Sequence, residues 1–318
     1  SMGLIEVRGV KKRFGKSIIL ENIDVDIKEN DIYGIIGVNG SGKTTLLKIL
    51  IGFYKINHGA VIYKGKNIRN NSKKMRKEFG FTSQDSSFYP KLTVAENLSY
   101  FGTLYGLSHH EIHENMDKIL ELVELKEAKR VLAQNLSGGM QRRLDLACSI
   151  IHKPKVLILD EPTEDLDPML RREIVELIKK INKMGTTIII TSHILEDVER
   201  LCKTVAILHN RHVLKVGSIE DLRKLYNREE EIHLEVESGK YDRIIKFAKL
   251  KDYQIENGKL VVYTNDAEKL MHVIFHILEN DKEKLIAADI KKPSLEEMFE
   301  NLTKNEEKNE GEKKTAAW

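Results

Sequence analysis

"IYGIIGVNGSGKTTLLKIL" occupies residues 32–50, and its reading decides the fold. Residues 32–37 form a short apolar run of strand length that ends in glycine. A helix is expected from Lys43 onward. Between them Gly37, Gly40, Gly42, Lys43 and Thr44 complete the phosphate-loop pattern G-x-x-x-x-G-K-T. The glycines let the backbone turn its N–H groups toward phosphate oxygens. Lys43 is spaced to bridge the β- and γ-phosphates of a nucleotide, and Thr44 to offer its hydroxyl to Mg²⁺. The helix that starts there adds its positive end. Strand, loop and helix in that order predict an α/β fold with a phosphate-loop NTPase core.

The flanking sequence agrees. Residues 4–30 alternate as strands, "LIEVRGV" and "SIILENIDVDI", and predict an antiparallel β-subdomain. "GFTSQ" (80–84), "KVLILDEP" (155–162), "TTIIITSH" (186–193) and "TVAILHN" (204–210) read as strands. Helical spacing appears over 93–126, 169–184 and 194–202. Strands alternating with helices imply a mainly parallel sheet with crossovers. Past Tyr226 the character shifts. After the charged run "NREEE" come the strand "EIHLEVE", the helix "YDRIIKFAKLK" and a hairpin turning at Asn257-Gly258. A helix (266–280), a strand (285–290) and a helix (294–303) complete a small C-terminal α+β domain. The expected division is an NTPase domain over 2–226 with a helical insert at about 90–152, an α+β domain over 227–303, and a charged tail over 304–318, expected to be disordered.

Composition sets outer limits. The 318 residues have room for about two domains. A net charge of +3 is small for this length and does not by itself call for nucleic acid or an anionic membrane. The longest apolar runs are strand-length, far short of the roughly eighteen residues of a membrane span. No signal peptide is evident, and Ser1 ahead of Met2 reads as a cloning remnant. Cys148 and Cys202 lack metal spacing and read as buried thiols of a reducing compartment.

Further polar residues end apolar strands. Asp160 and Glu161 close "KVLILDEP". Successive side chains on a strand point to opposite sides, so one carboxylate serves a metal shell and the next an attacking water. Asp160 is assigned to Mg²⁺, and Glu161 to orienting or deprotonating the water. Gln84 and His193 end two other strands, where side chains face the ligand crevice of such a sheet. "LSGGMQRRLDLACSI" (136–150) holds a serine, two glycines and an apolar stripe at Met140, Leu144, Ala147 and Ile151. Ser137 is placed to cap that helix, whose first N–H groups, left bare at Gly138 and Gly139, form a second anion cradle without a lysine.

Taken in order, "GVNGSGKTT", the Gln84 loop, "LSGGMQ", "VLILDEP", "EDLDP" and "TSH" resemble the nucleotide-binding subunit of an ABC transporter. The resemblance covers residues 4 to about 220. It implies ATP and Mg²⁺ as ligands, with Gly37, Asn39, Gly40, Ser41, Gly42, Lys43, Thr44 and Thr45 around the phosphates and Phe14 stacked on adenine. It implies catalytic roles for Glu161, His193, Lys43 and Gln84, with Thr44, Gln84 and Asp160 near the metal. Two chains would pack head to tail, so that Ser137, Gly138, Gly139 and Asp167 of one complete the ATP site of the other. The pair would be a homodimer or include a related ATPase subunit. Asp165 departs from the family pattern, in which glycine is common at that place. The wording after the glutamine loop and "PSLEEMFENLTK" (293–304) resemble drug, antibiotic and polysaccharide exporters with a separate membrane permease. Such a subunit would be cytoplasmic, peripheral on the inner face of the membrane, and would bind no nucleic acid.

The alternative within the same superfamily is a soluble ATPase acting on nucleic acid or ribosomes. Its DNA-repair members carry a long coiled-coil insertion and its translation members two cassettes, and this chain has neither. A GTPase would need a base-reading N-K-x-D motif, and "NKMG" (182–185) lacks the aspartate. His272 with His276, "HHEIH" (109–113) and the basic run "NNSKKMRK" (70–77) read as ordinary surface or core residues.

Overall fold

A computed structural model describes residues 3–69, 75–225, 230–292, 294–300 and 303. Residues 227–229 of the charged run "NREEE" (227–231), part of the basic run, part of the 294–303 helix and the whole 304–318 tail lie outside the described residues, while Glu230 and Glu231 open a strand. The chain divides into two compact units, Ser1–Ile219 and Glu220–Trp318.

The first unit holds two sheets. The smaller is antiparallel, in the order β2-β1-β4-β5, from β1 (Ile5–Phe14), β2 (Ser17–Ile27), β4 (His58–Tyr63) and β5 (Lys66–Asn67). The larger runs β10-β9-β3-β8-β7-β6. Its strands are β3 (Ile32–Ile36), β6 (Phe79–Thr82), β7 (Val156–Asp160), β8 (Thr187–Ser192), β9 (Thr204–His209) and β10 (His212–Ser218). All pair in parallel except the edge strand β10. Every residue of β3, β7 and β8 is buried, as expected of parallel strands covered on both faces. One core joins the sheets, with Val7, Val25 and Val61 of the smaller packed among Ile35, Ile158 and Ile189 of the larger.

Five helices of this unit are α1 (Lys43–Leu50), α2 (Val94–Leu104), α3 (His109–Leu122), α4 (Gly138–Ile150) and α5 (Pro168–Lys183), and the short α6 (Leu195–Leu201) follows β8. The helical stretch read over 93–126 is two helices parted at Gly106, whose φ is +85°. Each opens with a capping box, Thr93 with Glu96 and Ser108 with Glu111. The sequence reading passed over β4, β5 and β10. "HGAVIY" begins with an exposed His-Gly pair, and β10 has no buried residue, so neither presents a clear apolar alternation.

The second unit begins near α7 (Ile219–Leu225) and is a split β-α-β-β-α-β. Its strands β11 (Glu230–Val236), β12 (Tyr253–Glu256), β13 (Lys259–Thr264) and β14 (Leu285–Lys291) lie in the order β12-β13-β11-β14, all antiparallel. Helices α8 (Asp242–Phe247) and α9 (Ala267–Asp281) cover one face, where Ile232, Leu234 and Val262 meet Ile244, Met271 and Ile274.

Candidate nucleotide site

The parallel order β9-β3-β8-β7-β6 brings four strand ends to one edge of the larger sheet. Gly37 follows β3, Glu161 follows β7 and His193 follows β8 at the next residue, while Gln84 comes two residues after β6. Four motifs scattered over more than 150 residues of sequence thus converge at the place where such sheets bind ligands.

The loop after β3 is fixed by its glycines. Gly40 and Gly42 have φ of +80° and +107°, and Gly42 is the residue from which α1 starts. A methyl group at Gly37 would lie 2.3 Å from the Leu208 carbonyl and 2.6 Å from Ser41 Oγ. Lys43 is buried, and its Nζ donates to the Gly37 carbonyl at 2.8 Å. Ser41 Oγ is buried with no hydrogen-bond partner among the described residues. This cradle fits a phosphate chain: an ammonium, a free hydroxyl and a helix N-terminus line backbone that only glycine permits. Thr44 and Asp160 supply hard oxygens of the kind Mg²⁺ takes alongside phosphate.

Glu161 is the hub of the side chains. Its Oε1 lies 3.5 Å from Lys43 Nζ. Its Oε2 accepts the backbone N–H of His193 at 3.1 Å and lies 3.0 Å from His193 Nδ1. Glu161 has φ of +49°, a left-handed conformation costing about 1 kcal/mol or more for a residue other than glycine. Thr191 supports it. The Thr191 hydroxyl donates to Asp160 Oδ1 at 2.6 Å and accepts the Glu161 N–H at 3.1 Å. One fully buried hydroxyl therefore holds both the Asp160 carboxylate and the Glu161 backbone.

The other expected residues sit in two further places. Ser137 caps α4, its Oγ accepting the Met140 N–H at 3.4 Å. Gly138 is exposed, and a methyl group there would meet nothing within 4 Å. Gly139 is buried, and a methyl group there would lie 2.7 Å from Leu170 Cδ2. The two glycines thus differ: one keeps the helix end open, the other lets α5 approach. Asp167 caps α5 through the N–H groups of Met169 and Leu170, with Pro168 at the first helical position. Asp165 has φ of +59°, which accounts for glycine in the family pattern and for aspartate, which tolerates that region, in its stead. Phe14 is 43% exposed at the end of β1, with Tyr54 edge-on at 5.0 Å and Lys12 Nζ 4.4 Å from its ring centre. Asn39 and Gln84 are exposed, and Thr45 is half-buried.

Sequence reading missed Thr191, Arg142 and Asp145. Arg142 and Asp145 are buried on the inner face of α4. Arg142 Nη2 donates to the Glu161 carbonyl at 3.0 Å, and Asp145 Oδ1 accepts the Ser87 N–H at 2.8 Å. Burial pushes the Asp145 carboxyl up to about 6, against the lowering effect of the Ser87 N–H and Arg142. The available signal was weak: two opposite charges three residues apart in "RRLDLACSI", on the side of the helix away from the apolar stripe. The other histidine motifs stay apart from the site: His109, His110 and His113 are exposed on α3, and His272 and His276 lie on α9. Among the described residues no group of three or more His, Cys, Asp or Glu side chains is arranged to hold a metal. Cys148 and Cys202 are buried free thiols.

Comparison with known proteins matches residues 20–164 to the family model described as "ABC transporter". The linearmycin resistance ATP-binding protein LnrL of Bacillus subtilis (strain 168) is 31% identical over 306 residues, 94% of this chain and 98% of that protein. The chain belongs to the ABC transporter family. It is an ATP-binding, ATP-hydrolysing subunit of that family. A Nod factor export ATP-binding protein I of Rhizobium sp. (strain N33) is 31% identical over 95% of this chain and 97% of its own length. Among solved structures, CbiO1 from Clostridium perfringens, part of the ABC transporter complex CbiONQ, superposes with a TM-score of 0.65 at 28% identity, over 71% of this chain and 95% of its own. An ABC ATPase acting on nucleic acid or ribosomes is not favoured by these relatives. No helix among the described residues of this ABC ATPase is long and apolar enough to cross a membrane.

Proposed function

We propose that this ABC ATPase drives export through a membrane permease that is a separate polypeptide, working as a head-to-tail dimer. The observation that carries the reading is the Lys43–Glu161–His193 cluster at the sheet edge, beside a phosphate cradle that only glycine permits. Lys43 and the loop N–H groups of residues 37–45 hold the β- and γ-phosphates of ATP, and Phe14 offers its exposed ring to adenine. Thr44, Asp160 and Gln84 hold Mg²⁺, which when bound neutralises charge on the phosphate oxygens. Glu161 orients the attacking water and takes its proton. His193 fixes the Glu161 carboxylate and reaches the γ-phosphate.

The open N-terminus of α4 supports the dimer. Ser137 and Gly138 present a hydroxyl and bare N–H groups to solvent, a lysine-free anion site for the γ-phosphate held by a second copy, or by a related subunit. Asp167 lies at the same shared surface. Breaking the γ-phosphate link removes contacts across the pair and lets it open. Docking to a permease at the inner membrane face is supported by an exposed aromatic group after the glutamine loop. Tyr89 and Tyr100 meet edge-on at 4.7 Å, and Leu104 is 68% exposed. Relatives named for resistance and export match both units of the chain, which favours export.

The test is to express Glu161→Gln in native membranes, trap it with ATP, extract with detergent and identify what co-purifies. An integral membrane protein lacking its own phosphate loop is the expected partner. Recovery of ribosomes or DNA with no membrane protein overturns the transport reading.

A further inference from the structure

The inner face of α4 (Gly138–Ile150) carries two charged side chains where an amphipathic helix ordinarily buries apolar ones. Arg142 is 8% exposed and Asp145 is 2% exposed. Burying opposite charges brings a desolvation cost that a leucine pair would avoid, so packing alone does not account for them. Their contacts do. The Arg142 guanidinium forks: Nη2 donates to the Glu161 carbonyl at 3.0 Å, while Nη1 faces the carbonyls of Ser83 and Gln84 at 3.4 and 3.5 Å. Asp145 Oδ1 accepts the Ser87 N–H at 2.8 Å. All these partners are backbone groups of the two loops that follow β6 and β7, beyond the last residues of those strands.

We propose that Arg142 and Asp145 are positioning residues for ATP hydrolysis, fastening the glutamine loop (83–87) and the backbone of Glu161 to one helix so that the two loops move together. The proposal rests on the reading of Glu161 and Gln84 as site residues. Three features carry it. The left-handed Glu161 has its carbonyl beyond the strand ladder, where it accepts the local Glu164 N–H at 3.2 Å and, at 3.0 Å, the Arg142 guanidinium, which ties it to α4. A planar fork with several donors spans two loops where a single ammonium serves one. Arg142 lies five residues from Ser137, about 7.5 Å along the helix. A push on the open end of α4, or on the glutamine loop, therefore reaches Glu161 through one rigid element.

The experiment uses the full chain and measures kcat and KM for ATP by phosphate release, with the folded fraction of each variant taken from its thermal melt. Arg142→Lys keeps the charge beside Asp145 but loses the fork. Its kcat is expected to fall about tenfold or more, with KM within about twofold. Asp145→Ala is expected to match it. Asp145→Asn keeps an oxygen for the Ser87 N–H and is expected to restore kcat to within about threefold. Glu161→Gln, run alongside, separates the two claims. If Glu161→Gln abolishes hydrolysis while Arg142→Lys and Asp145→Ala turn over normally, the positioning role is wrong and the site stands. If Glu161→Gln hydrolyses ATP normally, the site reading itself has failed. Losses of kcat that track only a loss of folded protein assign both residues to the scaffold and also overturn the proposal.

Discussion

Thr191→Val removes one oxygen from the centre of the site and leaves the shape intact. The hydroxyl makes two hydrogen bonds, to Asp160 Oδ1 at 2.6 Å and from the Glu161 N–H at 3.1 Å. They are not equally costly to lose. The Glu161 N–H also points at the Thr191 carbonyl at 3.2 Å, which valine retains. Asp160 is buried, so its carboxylate loses a charge-assisted bond worth about 1.5–3 kcal/mol. The expected loss is therefore about 2 kcal/mol rather than the sum of two bonds. For a unit of roughly 200 residues that lowers Tm by about 4–8 °C. Activity should suffer more, because the hydroxyl holds the Asp160 carboxylate and the backbone from which Glu161 projects, and misplacement near 1 Å costs about a hundredfold in rate. Differential scanning calorimetry without nucleotide and steady-state ATP hydrolysis read the two effects. Thr191→Ser keeps the hydroxyl and should recover most of the rate. A Thr191→Val protein with wild-type Tm and kcat would refute the reasoning. So would a serine variant as slow as valine, which would move the role from the hydroxyl to the methyl group.

Three further outcomes are expected. Gly138→Ala meets open space and should leave stability within about 1 kcal/mol while reducing cooperative ATP hydrolysis, whereas Gly139→Ala drives a methyl group against Leu170 and should destabilise by about 1 kcal/mol in urea. Asp165→Gly should be neutral or stabilising by about 0.5–1 kcal/mol, and Asp165→Val should cost about 1–2 kcal/mol, because φ is +59° there. His152, stacked on Tyr105 at 3.5 Å, is held down to about 4 by burial, so the fold keeps it neutral and loses stability as pH falls from 6.5 toward 4. His152→Phe should flatten that acid limb, whose slope from this group is at most about 1.4 kcal/mol per pH unit, as read by urea titrations at several pH values.

The legible parts of the site were those where one motif is contiguous and ends a buried strand. "GVNGSGKTT", "VLILDEP" and "TSH" each carry strand and functional side chain together, so reading the strand located the residue. The supporting shell is built by pairs far apart in sequence. Thr191 reaches Asp160 across 31 residues, and Asp145 reaches Ser87 across 58. In the sequence Thr191 is one more β-former in an apolar strand, and its second role appears only when β7 and β8 pair in register, Asp160 opposite Thr191. The departure at Asp165 was legible as an oddity but needed its dihedral angle to be explained.

The two anion cradles use one device, a helix start with glycine at or beside its first turn, and differ in what surrounds it. At α1 Gly40 and Gly42 have positive φ, Ser41 and Lys43 are buried, and the neighbouring strand's Leu208 carbonyl walls in Gly37. That cradle is enclosed by its own chain and supplies its own cation. At α4 neither glycine has positive φ, Ser137 and Gly138 face solvent, and no lysine follows. A helix end alone is worth only about 0.3–1 kcal/mol to an exposed anion, because water and salt screen it. It becomes effective when a second surface excludes that water. A chain that carries one open, lysine-free helix end and one enclosed, lysine-bearing end therefore suits the head-to-tail pairing proposed above, in which a second copy would supply that surface.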